Sequence, residues 1–218
     1  MTEKKRYSIV IADDHEFVRQ ALRNALETPG LVEVDGLDVV AEARNGREAL
    51  TAIRQFRPDA VTLDVSMPEM GGHEIIHEIR RWSPHTRIVV ITGVTAPGLV
   101  AGLVQNGVDG LFPKSGSSQA IYGKLPLILR GQKHIDETFT RILESKPDIP
   151  TLTPREQQLL NLLVSGFANK EIADKLGISV KTVEKHRGSL MAKLDVNSIA
   201  QLLARALKDG LIDAAREI

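Results

Sequence analysis

Asp13, Asp14, Asp64, Thr92 and Lys114 are the residues whose types could do chemistry together. Three gathered carboxylates would repel one another: two unit charges about 4 Å apart cost on the order of 4 kcal/mol at an effective dielectric near 20. Such a cluster calls for a cation. An all-oxygen donor set at octahedral distances suits Mg2+, which keeps some of its waters and commonly bridges carboxylates to a phosphate. Lys114 has no use as a metal ligand but neutralises phosphoryl oxygens as a point charge, and the Thr92 hydroxyl can hydrogen-bond to the same group. The chemistry that fits is phosphoryl transfer onto a carboxylate, with Asp64 as the nucleophile and the cation and lysine stabilising the developing charge.

Each residue also has a plainer use. Asp13-Asp14 would cap a following helix, Asp64 would bond loop N–H groups, Thr92 would end a strand in a turn, and Lys114 would be a solvated charge. The elements that position them favour the joint reading. Ala60-Val61-Thr62-Leu63 is an apolar, β-favouring run that delivers Asp64 to its carboxyl end, with Pro68 four residues later. Ser8–Ala12 runs directly into Asp13-Asp14. Val39–Ala43 reads as a second strand, Arg87–Ile91 as a fourth ending at Thr92-Gly93, and Gly110–Phe112 as a fifth ending at Pro113-Lys114. Helical spacing is expected over Glu16–Leu26, where Phe17, Val18, Ala21, Leu22, Ala25 and Leu26 are the apolar positions. Further helices are expected at Arg47–Phe56, from Gly71-Gly72 to Arg81, at Ala96–Gln105, and at Ser117–Arg130 in spite of Gly123 and Pro126. The connection from Pro29 to Val39 is long. Five short strands alternating with helices imply a doubly wound parallel sheet covered on both faces, and ligands bind such sheets outside the carboxyl ends of the strands. The candidate residues stand at the ends of strands one, three, four and five.

At 218 residues the chain has room for two domains. Its 28 basic and 28 acidic side chains cancel, so no overall polyelectrolyte character points to a partner. Residues 151–218 carry ten basic and eight acidic side chains, a slight excess in the direction of nucleic acid. Absence of cysteine excludes disulfides and thiolate metal sites, and no apolar run approaches the roughly 18 residues of a membrane span. Met1–Arg6 leads into a strand rather than a signal sequence, and a cytoplasmic protein is expected.

The expected domains are residues 1–132, a linker over 133–150 with Pro147 and Pro150, and an all-helical part over 151–218. Thr153-Pro154-Arg155-Glu156 is a helix start, with Thr153 as N-cap, Pro154 first in the helix and Glu156 as the capping-box acid. Asn169 is expected to cap a short helix through Leu176, Gly177 to make the turn, and Ser179 to cap a longer helix reaching Leu194. Two helices joined by a tight glycine turn form a helix-turn-helix. On the second, Val183, Leu190 and Leu194 share one side, while Lys181, Glu184, Lys185, Gly188 and Ala192 lie opposite, a face able to enter a major groove. After Asn197-Ser198, Ile199, Leu202, Leu203, Ala206 and Leu207 make an apolar stripe suited to core packing or to a two-fold contact.

With Asp13-Asp14, Asp64 ahead of Met67-Pro68, Thr92-Gly93 and Lys114, the first part resembles the receiver domain of bacterial two-component response regulators, a flavodoxin-like fold. That resemblance implies Mg2+ held by Asp13, Asp14, Asp64 and the Ser66 carbonyl, and a phosphoryl donor on a histidine of a sensor kinase. Leu152–Glu156, Asn169–Ala173 and Val180–His186 resemble the LuxR-type DNA-binding domain, so the whole chain is similar to NarL/FixJ-type regulators. The likeness implies promoter DNA contacts by Lys181, Lys185 and Arg187, phosphate contacts by Thr182 and Lys193, and a homodimer in the active form. Glu184 would accept from a cytosine amine or orient Lys185. Receivers usually carry an aromatic residue three positions before the lysine, and Leu111 stands there. Proline usually follows that lysine, whereas here Pro113 precedes Lys114, so no cis peptide is expected after it. A constitutive DNA-binding regulator with a non-switching receiver is therefore the alternative reading.

His73-Glu74-Ile75-Ile76-His77 literally matches the H-E-x-x-H zinc-hydrolase pattern. Its helix must turn Ile75, Ile76 and Ile79 toward the sheet, which leaves the histidines on the flank, and a zinc enzyme is the disfavoured reading.

Overall fold

The computed structural model describes residues 6–67, 72–145, 150 and 152–212, without the side chains of His73 and Pro154. In chain order its elements begin with β1 (Ser8–Ala12), α1 (Glu16–Glu27), β2 (Asp38–Ala43), α2 (Gly46–Phe56), β3 (Ala60–Leu63) and α3 (Gly72–Trp82). There follow β4 (Arg87–Thr92), α4 (Pro97–Gln105), β5 (Gly110–Pro113), α5 (Ser118–Leu129), β6 (His134–Ile135) and α6 (Glu137–Ser145). The last four are α7 (Pro154–Val164), α8 (Asn169–Leu176), α9 (Val180–Lys193) and α10 (Ile199–Lys208). Two compact units result: residues up to Val94 with Leu103–Arg141, and Thr95–Gly102 with the residues from Ile142 onward.

The first unit is a parallel sheet in the order β2-β1-β3-β4-β5-β6. Strand order reverses between β1 and β3, and the crevice at that switch point is where such sheets bind ligands. Alternation along each strand sends Ile9, Ile11, Ala60, Val89, Ile91 and Phe112 into one core with Leu22 and Leu26 of α1 and Ile121, Leu125 and Ile128 of α5. The intervening Val10, Val61, Leu63, Ile88, Val90 and Leu111 are also buried, so both faces of the sheet are covered.

Three expectations need correction. The sheet has six strands, because His134 N–H donates to the Asp109 carbonyl (2.9 Å) and Asp136 N–H to that of Leu111 (3.0 Å). This adds β6 from a segment read as linker; two residues are too few to show a periodicity. Phe17 is 88% exposed, and Ala21 is exposed too, rather than part of the apolar side of α1, whose core contacts start at the partly buried Val18 and continue through Leu22, Ala25 and Leu26. Ala168, not Asn169, is the N-cap of α8; its backbone is extended and its N–H is taken by the Glu171 carboxylate at 2.8 Å.

Elsewhere local chemistry and structure agree. Pro126 lies inside α5, and the helix persists because Ile121, Leu125, Ile128 and Leu129 are buried on either side of the missing N–H. The long connection after α1 is a packed segment: Val32 and Leu37 join the core, and Glu33 pairs with Arg130 at 2.7 Å. Gly36 has φ +72°, and a Cβ there would meet the Glu27 carbonyl oxygen, so only glycine fits. All peptide bonds are trans among the described residues, as expected around Lys114.

In the second unit Leu159, Leu160, Ile172, Val183, Leu190, Leu194 and Leu202 form one core. Thr153 and Glu156 close the expected capping box, with Thr153 N–H to Glu156 Oε2 at 2.8 Å and Glu156 N–H to Thr153 Oγ1 at 3.3 Å. Gly177 ends α8 at φ +62°, and Ser179 accepts from the Thr182 N–H at 3.1 Å to start α9.

Candidate functional site

Backbone pairing places the acids. Asp64 N–H donates to the Ala12 carbonyl (2.8 Å) and Asp13 N–H to that of Ala43 (3.0 Å), so the ladder that builds the sheet also fixes both residues at its carboxyl end. Lys114 N–H donates to the Thr92 carbonyl (2.9 Å), which ties the ends of β4 and β5 in the same way.

Both buried acids use their oxygens alike. Asp13 Oδ1 accepts from the His15 N–H and Asp64 Oδ1 from the Ser66 N–H, each at 2.9 Å and each two residues along the chain. The plain loop-bonding role thus occupies one oxygen of each. The other oxygens meet at Lys114, whose Nζ lies 2.8 Å from Asp13 Oδ2 and 2.7 Å from Asp64 Oδ2. Asp13 and Asp64 are each 2% exposed, so without that ammonium two carboxylates would be desolvated side by side. Burial pushes the Lys114 ammonium toward deprotonation, but the hydrogen bonds and charges of Asp13 and Asp64 outweigh it and hold its pKa above the usual lysine value.

Asp14 is partly exposed beside them, and His15, which follows it, is brought into the same cluster. One donor atom from each of Asp13, Asp14, His15 and Asp64 lies within 4.8 Å of all the others. Carboxylate oxygens so gathered fit a hard divalent cation, and the Lys114 ammonium shows electrically that the place accepts positive charge. Thr92 is buried, and its Oγ1 accepts from the Val94 N–H at 3.2 Å, leaving the hydroxyl proton to donate. Sequence reasoning passed over His15. Its position two residues from Asp13, directly after the acidic pair, was the available signal.

The second candidate surface is α9. Lys181, Glu184, Lys185 and Gly188 are exposed, while Val183 and Leu190 are buried, as the helical periodicity requires. Thr182 and Arg187 are half-buried on the flanks, and the Thr182 hydroxyl is engaged with Ser179 Oγ at 2.8 Å. Lys193 is committed elsewhere: its Nζ lies 2.7 Å from Glu156 Oε2, in the capping box of α7. Of the H-E-x-x-H pattern, the His73 side chain lies outside the described residues. Among described side chains the only metal-competent cluster is that of Asp13, Asp14, His15 and Asp64.

A parallel α/β unit with an acid, hydroxyl and lysine constellation at its switch point, followed by a helix-turn-helix, defines the class. The chain belongs to the response regulators: residues 9–125 match the response regulator receiver domain, and residues 150–206 match the LuxR family of bacterial regulatory proteins. It is 30% identical to the response regulator GacA of Pseudomonas viridiflava over 95% of this chain and 98% of that protein. It is 32% identical to the oxygen regulatory protein NreC of Staphylococcus haemolyticus, over 94% and 99% of the two chains. Among solved structures it resembles RcsB from Salmonella enterica serovar Typhimurium, bound to promoter rprA in the presence of the phosphomimetic BeF3-. The TM-score is 0.69 at 26% identity, over 92% of this chain and 98% of that one.

Proposed function

We propose that the chain is a phosphorylation-controlled transcription regulator, in which Asp64 accepts a phosphoryl group from a histidine of a sensor kinase and α9 reads promoter DNA. The observation that carries this reading is the Lys114 ammonium bridging Asp13 and Asp64 at the carboxyl end of the sheet. A carboxylate oxygen of Asp64 attacks phosphorus, the new P–O bond forms as the P–N bond breaks, and the electron pair returns to the donor imidazole. Lys114 then stays near the phosphoryl oxygens as a fixed positive charge, and Thr92 donates its hydroxyl proton to one of them. Asp13, Asp14, Asp64 and the Ser66 carbonyl are the groups to hold Mg2+, which when bound offsets charge on the phosphoryl oxygens.

Beyond taking this group and releasing it to water, no catalytic activity is proposed, and the site of action is the cytoplasm; no helix among the described residues is long and apolar enough to cross a membrane. Lys181, Lys185 and Arg187 face DNA, with Thr182 on phosphate and Glu184 on a base edge or on Lys185. Lys193 is a weaker candidate because Glu156 already holds it. On α10, Leu203 stays partly exposed and Leu207 about half exposed (49%) while Leu202 and Ala206 are buried, which supports a homodimer contact along that stripe. The domain limits proposed are those read from sequence, with β6 added to the receiver.

A second reading rests on Leu111. It is fully buried where receivers usually carry an aromatic ring, and the neighbouring Phe112 packs against His134 with ring centroids 5.2 Å apart. A receiver without that ring leaves the DNA-binding part constitutive. Beryllium trifluoride with Mg2+ separates the two. A phosphorylation switch predicts a change in DNA affinity or dimerisation of roughly 5- to 150-fold, abolished in Asp64→Asn. Unchanged affinity and oligomeric state with the acceptor occupied establish the constitutive reading.

A further inference from the structure

We propose that a cavity at the amino end of the sheet, opposite the acidic site, binds a small phosphorylated ligand of the mononucleotide class, one flat ring carrying one phosphate. The cavity has a volume of about 270 Å³, and its lining includes Tyr7, Arg57, Asp59, Trp82, His85 and Arg87. That volume is close to the lower end of the roughly 300–1,000 Å³ typical of small-molecule sites. Tyr7 precedes β1, Asp59 precedes β3 and Arg87 opens β4, so the sheet itself holds half of these residues in place.

Positive charge is in surplus there. Glu78 answers both Arg54 (3.4 Å) and Arg81 (3.7 Å), and Asp109 answers both Arg80 (2.6 Å) and Arg87 (3.3 Å). The side chains of Arg57 and His85 are exposed, and among the described residues neither has a hydrogen-bond or ion-pair partner. Arg57 is also strained: it caps the end of α2 at φ +43°, ψ 58°, a left-handed conformation in which glycine is the usual residue. A strained arginine with an uncommitted guanidinium beside a cavity is placed for an anion rather than for the fold. The flat partner is Trp82, 45% exposed, whose ring already attracts the Arg54 guanidinium at 4.2 Å from its centroid. Asp59 decides between a bare anion and a larger ligand. Its Oδ2 accepts from the Ser8 N–H and from the Ser8 hydroxyl, each at 2.8 Å, while Oδ1 has no partner among the described residues. Phosphate alone would be repelled by that carboxylate, whereas a ring N–H or exocyclic amine donates to it. A base thus answers Trp82 and Asp59, and its phosphate answers Arg57, His85 and Arg87.

Trp82 is the single tryptophan of the chain, so its fluorescence reports on the site directly. The full chain and its Arg57→Gly and His85→Gln variants are titrated with AMP, GMP, guanosine and inorganic phosphate. The expected result is a saturable change in Trp82 emission with at least one nucleotide, at concentrations roughly tenfold or more below those needed for guanosine or phosphate. Arg57→Gly should weaken nucleotide binding by roughly tenfold or more, the scale of one charge-assisted hydrogen bond. Its thermal midpoint should stay at or above that of the wild type, because glycine suits the backbone conformation at that position. His85→Gln should weaken binding in the same direction without changing stability. Absence of a saturable change with either nucleotide overturns the proposal, and so does equal nucleotide affinity in the wild type and both variants. Phosphate binding as tightly as the nucleotides overturns the role of the ring, and guanosine binding as tightly overturns the role of the cations.

Discussion

Lys114 links two carboxylates that share no sequence neighbourhood, and its removal should be felt first as lost stability. Its side chain is 23% exposed, whereas those of Asp13 and Asp64 are almost fully buried. Deleting one partner of such a group typically costs about 3–5 kcal/mol, because the remaining charge stays desolvated. Lys114→Ala should therefore lower the urea midpoint by an amount corresponding to roughly 3 kcal/mol in cation-free buffer. A saturating dication should restore much of the loss, since it can neutralise the same oxygens. Equal destabilisation with and without the cation would mean that Lys114 and metal do not serve the same charges. Most of this site was legible at the residue scale: acids, threonine and lysine were visible at strand ends from apolar runs alone. What was not legible was the division of each carboxylate between a backbone N–H and Lys114, because that depends on the loop geometry after each strand. The recruitment of His15 was hidden for the same reason, since its ring direction follows from an N-cap conformation that one histidine does not announce.

Elements were readable wherever a local rule and the global packing agreed. The capping box of α7 shows the strong case, with Thr153 and Glu156 reciprocally bonded and Lys193 added from α9. Burial pushes the Glu156 carboxyl up, but Lys193 and the Thr153 N–H outweigh it, so its pKa lies below the ordinary value of 4.5. The sign of the pH effect follows. Above pH 4.5 the carboxylate is ionised in both folded and unfolded chains, and its stabilisation is fully present. As pH falls from 4.5 through the lower folded value the unfolded chain takes the proton first, and the stabilisation is lost. The thermal stability of the helix-turn-helix unit should therefore fall with acid in that window, and Glu156→Gln should flatten the dependence. The same variant keeps a side chain able to accept from the Thr153 N–H but loses the Lys193 ion pair, and should lose up to about 1 kcal/mol at neutral pH. A wild-type profile no steeper than that of the variant would remove Glu156 from the account. Misreadings at this scale have physical causes too: α8 starts on an alanine because Glu171 alone satisfies the N-cap N–H, and β6 owes its existence to pairing with β5, which two residues of sequence cannot show.

At the scale of the whole molecule, zero formal net charge makes local placement decide nucleic-acid affinity. On α9 the cations available to a duplex are Lys181, Lys185 and Arg187, whereas Lys193 is already paired with Glu156. Each phosphate neutralised releases condensed counterions, so the logarithm of affinity falls with the logarithm of salt at a slope near −0.9 per phosphate. A homodimer using three cations per chain should then show a slope of roughly −5 on its promoter. Lys185→Ala should lower the magnitude by about 2, one phosphate contact for each half-site. Lys193→Ala should leave the slope unchanged while reducing thermal stability, because its charge serves the α7 cap. The pair of variants distinguishes the two kinds of lysine within one helix. A slope that falls equally for both would return Lys193 to the DNA surface and require its bridge to Glu156 to open on binding. A slope untouched by Lys185→Ala would move the interface off α9 altogether.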